Sequence, residues 1–217
     1  MKGLLKNNFF AVYANVKVFS IFMFFLGVFV VAVISQPLLF GYALLGTVGF
    51  SANAITTVVL SALPSCAKWG KYKLTLPVKR ADIIKSYFLS QLIWLLVGML
   101  LGGISVSLSW LLHGCPFDNA IDAITLFAFG VSMNLFTGAF FFPLFYLGGE
   151  ERSEAFLVIS LLSAVGVALG ISSLINFYLE PGLATILLGS AILLICSVLT
   201  FILSYPLTVS IYNKKEY

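Results

Sequence analysis

The chain has 217 residues, of which 61% are hydrophobic and 9% are charged, and its mean hydropathy is +1.10. An ordinary soluble domain is about 45–50% apolar and about 25% charged, so this composition excludes a soluble protein and predicts an all-α integral membrane protein. The net charge of +4 does not indicate nucleic-acid binding, because the Lys and Arg residues adjoin apolar segments and suit anionic membrane lipids.

Residues 1–17 are not apolar enough to span a membrane, and we predict an interfacial amphipathic helix that lies along the membrane surface. Its apolar face comprises Leu5, Phe9, Val12, Tyr13 and Val16. The opposite face comprises Asn7, Asn8, Ala11, Ala14 and Asn15. Lys6 and Lys17 flank the apolar face, and a frayed basic N-terminus is the alternative interpretation. We expect no cleavable signal, because small residues do not follow the apolar run at the required spacing.

Six apolar segments follow, each long enough to cross a bilayer as a helix. They are predicted at about 18–35, 38–62, 87–112, 120–147, 155–176 and 183–211. Residues 1–217 therefore form a single transmembrane domain.

Small residues in two of these spans predict close contact between helices. The second span contains Gly41, Gly46 and Gly49, and the fifth contains Gly166 and Gly170 four positions apart. Glycine allows two helix backbones to approach each other, so we expect both spans to pack tightly.

The basic residues predict the orientation of the chain. All twelve Lys and Arg residues lie in segments 1–17, 63–86, 148–155 and 212–217, and the other three connections hold none. Six spans place these four segments on the same side of the membrane. Positive charge stays cytoplasmic, so both termini are predicted to be inside.

The sequence contains no evident source of energy for transport, and we predict that the chain is not an enzyme. It lacks the phosphate-binding pattern, and its single histidine, His113, is expected on the opposite face of the membrane from the Glu150–Glu151 pair, which disfavours an intramembrane protease. No metal or cofactor is expected, because the three cysteines are far apart. Charged residues fall in connections or at span ends, which disfavours an ion-coupled carrier. If such a carrier existed, Asn53, Asn134 and Thr137 would be the first residues to test for a neutral ion site.

The loop 63–86 holds six of the twelve basic residues and is the longest polar interval of the chain. Trp69, Tyr72 and Leu76 recur at helical spacing and predict a short helix with one apolar face, which Pro77 ends. The chain then restarts as a helix with Asp82 near its positive end. The apolar face fits either lipid headgroups or a groove of a partner protein.

The run KWGKYKLTLPVKRADIIKSYF resembles the signature of small ABC-2-type permeases. It is most similar to the compact bacterial group that includes phenol-soluble modulin exporters and lantibiotic-immunity-type permeases. The most specific portion is 76–80 followed by 82–84. The resemblance implies a bacterial cytoplasmic membrane, a coupling helix that docks on a separate ATPase, and a second permease subunit. ATP and Mg would bind to that ATPase and not to this chain.

The resemblance therefore predicts the permease subunit of an ABC exporter, with amphipathic peptides as cargo. The residues assigned to ATPase coupling are Trp69, Tyr72, Leu76, Pro77, Lys79, Arg80 and Asp82, with Glu150, Glu151 and Arg152 as a second contact or merely a solvated turn. Gly130, Asn134 and Gly138 form a stripe that either borders the substrate or packs against another helix. A non-transporting membrane scaffold or immunity protein is the alternative function.

Overall fold

The computed structural model describes residues 2–33, 36–62, 80–113, 120–149, 152–180 and 182–214. Within them the chain is all-α, as predicted, and its helices are α1 Lys2–Val33, α2 Gln36–Ala62, α3 Arg80–His113, α4 Ala120–Gly148, α5 Ser153–Tyr178 and α6 Leu183–Lys214. Helices α3 to α6 are each long and apolar enough to cross a membrane, and α1 is a fifth candidate if its two halves count as one span. The predicted coupling helix falls outside the described residues.

Helix α1 bends by 54° between Gly3–Tyr13 and Val16–Ala32, so its first half runs in a different direction from the rest. The buried face of that first half does not coincide with the predicted apolar face. Asn8 is buried, because its side-chain amide donates a hydrogen bond of 2.9 Å to the Ser86 hydroxyl of α3. Phe9 and Tyr13, predicted to share an apolar face with the buried Val12, are exposed. A buried amide is tolerated when it has a partner, and apolar or polar character alone does not identify such a position.

Two buried clusters hold the helices together. One lies where the first turns of α1 and α3 meet the last turns of α4 and α6, and it includes Leu4, Ile84, Phe142 and Tyr212. The other joins α1, α2, α3 and the start of α4, and it includes the Trp94 ring. That ring is stacked between Phe9 at 5.2 Å and Phe50 at 6.4 Å.

Helices α2 and α3 touch through their backbones. A Cβ atom added to Gly98 of α3 would lie 2.5 Å from the carbonyl oxygen of Gly46 in α2. Only glycine permits this distance between helices. The close approach predicted for the second span is therefore confirmed at Gly46, whereas Gly41 has no other atom near its Cβ position.

Helix α5 packs mainly against α4, through Ser160, Ala164 and Ala168. The prediction of tight packing at Gly166 and Gly170 was wrong within this chain, because both are exposed and have open space at their Cβ positions. Spacing alone identifies a stripe of small residues but does not say which of two adjacent stripes meets the neighbouring helix.

A proline inside α4 explains a contact between α4 and α6. Pro143 lacks a backbone N–H, so the carbonyl of Ala139, four residues earlier, loses its usual helical partner. The Ser204 hydroxyl of α6 donates a hydrogen bond of 2.7 Å to that carbonyl. In a membrane, where water is absent, this bond both satisfies the carbonyl and fixes α6 against α4.

Candidate functional site

The structure describes only part of the predicted coupling surface. Trp69, Tyr72, Leu76, Pro77 and Lys79 lie outside the described residues, as do Glu150 and Glu151. Arg80 is the first described residue of α3. Asp82 lies in the first turn of this helix, as predicted, and is half-buried. Arg152 precedes α5, is exposed and makes no side-chain capping hydrogen bond.

Basic side chains of different helices lie at the same end of the bundle. The buried contacts of Leu4, Ile83 and Tyr212 bring the first turns of α1 and α3 together with the last turns of α6. This end carries exposed Lys6 and Lys85 as well as Lys214. The Lys6 ammonium also lies 6.0 Å from the centre of the Phe10 ring. Such an end is electrostatically suited to an anionic surface.

The predicted stripe of α4 faces the interior of the bundle. The side-chain amide of Asn134 donates to the carbonyl oxygen of Thr47 at 3.0 Å and to the hydroxyl of Ser51, both on α2. The Gln91 amide of α3 donates to the Asn134 backbone carbonyl at 3.1 Å and to its side-chain oxygen at 3.0 Å. We call Thr47, Ser51, Gln91 and Asn134 the polar clamp, since their hydrogen bonds tie α2, α3 and α4 together.

The two glycines of the stripe make room for this clamp. A Cβ atom on Gly130 would lie 2.6 Å from the Thr47 hydroxyl oxygen, and one on Gly138 would overlap the Gln91 amide. Gln91 Oε1 is buried against Gly138 and has no hydrogen-bond partner among the described residues. The stripe therefore packs helices in this structure, and a role in substrate contact stays a prediction.

The residues considered for a neutral ion site bond to backbone carbonyls. The Asn53 amide donates to Gly49 at 2.8 Å and the Thr137 hydroxyl to Met133 at 2.8 Å, each within its own helix. Asn134 belongs to the polar clamp. Among the described residues, no three His, Cys, Asp or Glu side chains are grouped so that they could hold a metal ion.

Two cavities lie among α4, α5 and α6. The first, which we call the distal recess, has a volume of about 270 Å³ and lies where α5 ends and α6 begins. Its lining comprises Thr125, Leu126, Phe129, Ser172, Ile175, Asn176, Thr185, Ile186, Gly189, Ser190 and Leu193. Five of these side chains are hydroxyls or amides, which is a high share for an apolar helix bundle.

The second cavity, the proximal recess, has a volume of about 400 Å³ and lies nearer the basic end. It is lined by Ala139, Phe140, Pro143, Leu144, Ser163, Thr200, Leu203, Ser204 and Leu207. Its polar side chains are fewer, and one of them, Ser204, is bonded to α4.

Gln91 and Ser204 are among the residues that connect helices and that sequence reasoning missed. Gln91 is an amide in an otherwise apolar span, a type of residue that usually bonds across to another helix. Ser204 could have been sought from Pro143, because a proline within a span leaves a carbonyl that needs a donor. In both cases the sequence signals a bond, and the partner is visible only in three dimensions.

Long apolar helices joined by buried polar contacts define a multi-pass membrane protein. The chain belongs to the ABC-2 family of transporter proteins, because the family described as "ABC-2 family transporter protein" matches residues 3–213. This confirms the predicted resemblance at the level of the family, whereas the narrower likeness to phenol-soluble modulin exporters stays a prediction. Comparison with curated proteins and with solved structures gives no match.

Proposed function

We propose that this chain is the transmembrane subunit of an ATP-binding-cassette exporter, driven by a separate ATPase. The family match over residues 3–213 carries the proposal, because ABC-2 permeases are membrane components that work with ABC ATPases. ATP and Mg would bind to the partner. The export of amphipathic peptides rests on the resemblance of the basic loop to small bacterial permeases.

The order of the helices supports a route for the mechanical coupling. Loop 63–86 would dock on the ATPase through Trp69, Tyr72 and Leu76, and α3 begins within the last part of this loop. Closure of the ATPase dimer would displace the loop and the start of α3. The polar clamp joins α3 to α4 and α4 to α2, so displacement of one helix would move the others.

Two features support six spans with both termini in the cytoplasm. Helix α2 has 27 residues and would be about 40 Å long at 1.5 Å per residue, which exceeds a hydrocarbon core of about 30 Å. Exposed basic residues of α1, α3 and α6 lie at one end of the bundle, as positive charge on the cytoplasmic side requires.

The exposed glycines of α5 support a second permease subunit. Gly166 and Gly170 lie on one face with open space at their Cβ positions, so another helix could approach closely there. Small residues at this spacing favour association of helices in lipid. Leucine at both positions should lower the dimer fraction in cross-linking of membranes, whereas leucine at the exposed Gly182 should not.

Reconstitution tests the whole proposal. The permease alone in vesicles should show neither ATP hydrolysis nor uphill transport of an amphipathic peptide, and addition of its ATPase should restore both. Vanadate should then stop both activities. Peptide accumulation by the permease alone under a proton or sodium gradient would favour the carrier hypothesis. ATPase binding without transport would favour the scaffold or immunity function.

The docking surface can be tested separately with Trp69→Ala/Tyr72→Ala. The double variant should insert normally. Less ATPase should copurify with it, or ATP hydrolysis should continue without transport. Trp110→Ala is a matched control, because Trp110 is an exposed aromatic residue near the other end of α3. ATPase binding and export at the parental level would mean that the apolar face contacts lipid headgroups instead.

The orientation can be tested by chemical labelling of a variant whose three native cysteines are serine. Cysteine introduced at Lys71 or Lys214 should react with an impermeant maleimide only after the cells are opened. Cysteine introduced at Asn119 should react in intact cells. Labelling of the Lys71 position in intact cells would contradict the proposed topology.

A further inference from the structure

We propose that the distal recess binds an amphiphile that carries a primary ammonium group. The inference goes beyond the proposed function, because such binding requires neither the ATPase nor transport. It rests on the hydrogen bonds of the recess, on the charges around it and on its apolar walls.

Three of the four hydroxyl groups of the recess donate their protons to backbone carbonyls. Thr125 donates to the carbonyl of Asp122 at 3.0 Å, and Ser190 donates to that of Leu187 at 2.9 Å. Thr185 likewise donates to the carbonyl of Glu180 at 2.7 Å. A hydroxyl has one proton and two lone pairs, so these oxygen atoms can only accept a further hydrogen bond. These three oxygen atoms are therefore suited to a ligand that donates hydrogen bonds, whereas the Asn176 amide in the same lining can also donate.

The charges near the recess favour a positively charged donor. Asp122 precedes Thr125 and Leu126 by three and four positions, so its carboxylate lies on the same face of α4, one turn away. Glu180 is exposed between α5 and α6. Arg152 and Lys214 lie at the opposite ends of α5 and α6. A cation at the recess would thus lie at the end of α4, α5 and α6 that carries Asp122 and Glu180, and away from the basic side chains of α5 and α6.

The rest of the lining suits an alkyl chain. Leu126, Phe129, Ile175 and Leu193 supply apolar surface beside the hydroxyl groups. Ile186, at the rim, is 48% exposed, so the recess opens to the exterior of the bundle. A ligand with an apolar chain could enter from lipid and place its head among the acceptors.

Dodecylammonium is the simplest probe of this chemistry. The full chain would be placed in phosphatidylcholine nanodiscs without the ATPase, and binding would be measured by titration calorimetry. We expect saturable binding that is about tenfold weaker for dodecyltrimethylammonium, which has the same charge but no N–H donor. Equal affinity for the two probes would overturn the proposal without any variant being needed.

Paired variants locate the site. Thr125→Val/Ser190→Ala removes two acceptors from the distal recess and should weaken dodecylammonium binding about tenfold. Ser163→Ala/Thr200→Val makes the same change in the proximal recess and should leave the affinity unchanged. A thermal melt close to that of the parent would show that each variant is folded. Unchanged affinity in the folded distal variant, or equal loss in both variants, would overturn the assignment.

The source of the ammonium group can be found by changing the lipid. If phosphatidylethanolamine in the nanodiscs competes with dodecylammonium, a lipid headgroup occupies the site. If it does not compete, the ligand is an amphiphile that is not part of the bilayer. Either result keeps the ammonium site, and neither depends on whether the chain transports a peptide.

Discussion

Hydroxyl and amide side chains have different partners on the two sides of α4. In the polar clamp, Asn134 bonds to two groups of α2, and Gln91 bonds to α4, so the side chains connect helices. In the distal recess, Thr125 and Ser190 bond to carbonyls of their own helices and connect nothing. The first arrangement fixes the relative positions of three helices, and the second leaves acceptors facing a cavity. Polar residues within a membrane can therefore serve packing or binding. A hydrogen bond to another helix indicates packing, whereas a bond within the same helix leaves acceptors available for a ligand.

The glycines show the same contrast. Gly46 and Gly98 lie at a contact between backbones, whereas Gly166 and Gly170 face open space. Helices α2 and α3 are thus closely joined, while α5 contacts its neighbours less extensively. We expect substitutions in the first group to affect stability and those in the second to affect association or binding.

The largest effect is expected for Gly98→Ala. The new Cβ atom would overlap the carbonyl of Gly46, and backbone atoms cannot turn aside as a side chain can, so α2 and α3 must separate. The free energy of unfolding, measured by titration with a denaturing detergent, should fall by about 3 kcal/mol. Gly103→Ala on the same helix is the control, because nothing lies within 4 Å of its Cβ position. Equal losses of unfolding free energy in Gly98→Ala and Gly103→Ala would show that the contact between Gly46 and Gly98 is not what makes this position sensitive.

The polar clamp can be measured with a double-mutant cycle. Asn134→Leu should lower the free energy of unfolding by about 2 kcal/mol, since it removes the side-chain bonds to α2 and to Gln91 and leaves only the bond from Gln91 to the backbone carbonyl. Gln91→Met should cost less, and the two changes together should show a coupling energy of about 1 kcal/mol. Thr137→Val is the control, since Thr137 bonds only to a carbonyl of its own helix. A coupling energy near zero would show that the Gln91–Asn134 bonds contribute nothing measurable.

The hydrogen bond from Ser204 of α6 to the Ala139 carbonyl of α4 should contribute less to stability in a variant that lacks Pro143. Ser204→Ala should lower the free energy of unfolding by about 1 kcal/mol, because the Ala139 carbonyl is then left without a donor. In a Pro143→Ala background the new backbone N–H can bond to Ala139, and Ser204→Ala should then cost about half as much or less. The same loss in both backgrounds would mean that Ser204 acts by packing alone.

The smallest effect is expected in the distal recess. Thr125→Val and Ser190→Ala should each change the free energy of unfolding by at most about 0.5 kcal/mol, because these hydroxyls bond only to their own helices. The same detergent titration would measure both variants. A loss as large as that of Asn134→Leu would show that the recess is part of the packed core.

The sequence predicts the helices of this chain better than their contacts. The structure places helix ends near the predicted span ends, at His113 and Gly148 for example, because long apolar runs stop where charged or turn-forming residues begin. The burial of Asn8 was not predictable, since its partner Ser86 lies 78 positions away. The stripe of Gly130, Asn134 and Gly138 was predicted from its spacing. Its contact with Gln91 could not be predicted, because Gln91 lies on another helix.

The bend in α1 has a consequence for the surrounding lipid. The second half, Val16–Ala32, would reach about 25 Å at 1.5 Å per residue, whereas a typical hydrocarbon core is about 30 Å thick. The 34 residues of α3 reach about 50 Å and can match any bilayer by tilting. As a membrane span, this half of α1 would be short although it packs against the longer α3, and thinning of the bilayer beside α1 would relieve the mismatch. Lipids with shorter acyl chains should collect there, and the protein should be more stable in thin bilayers than in thick ones.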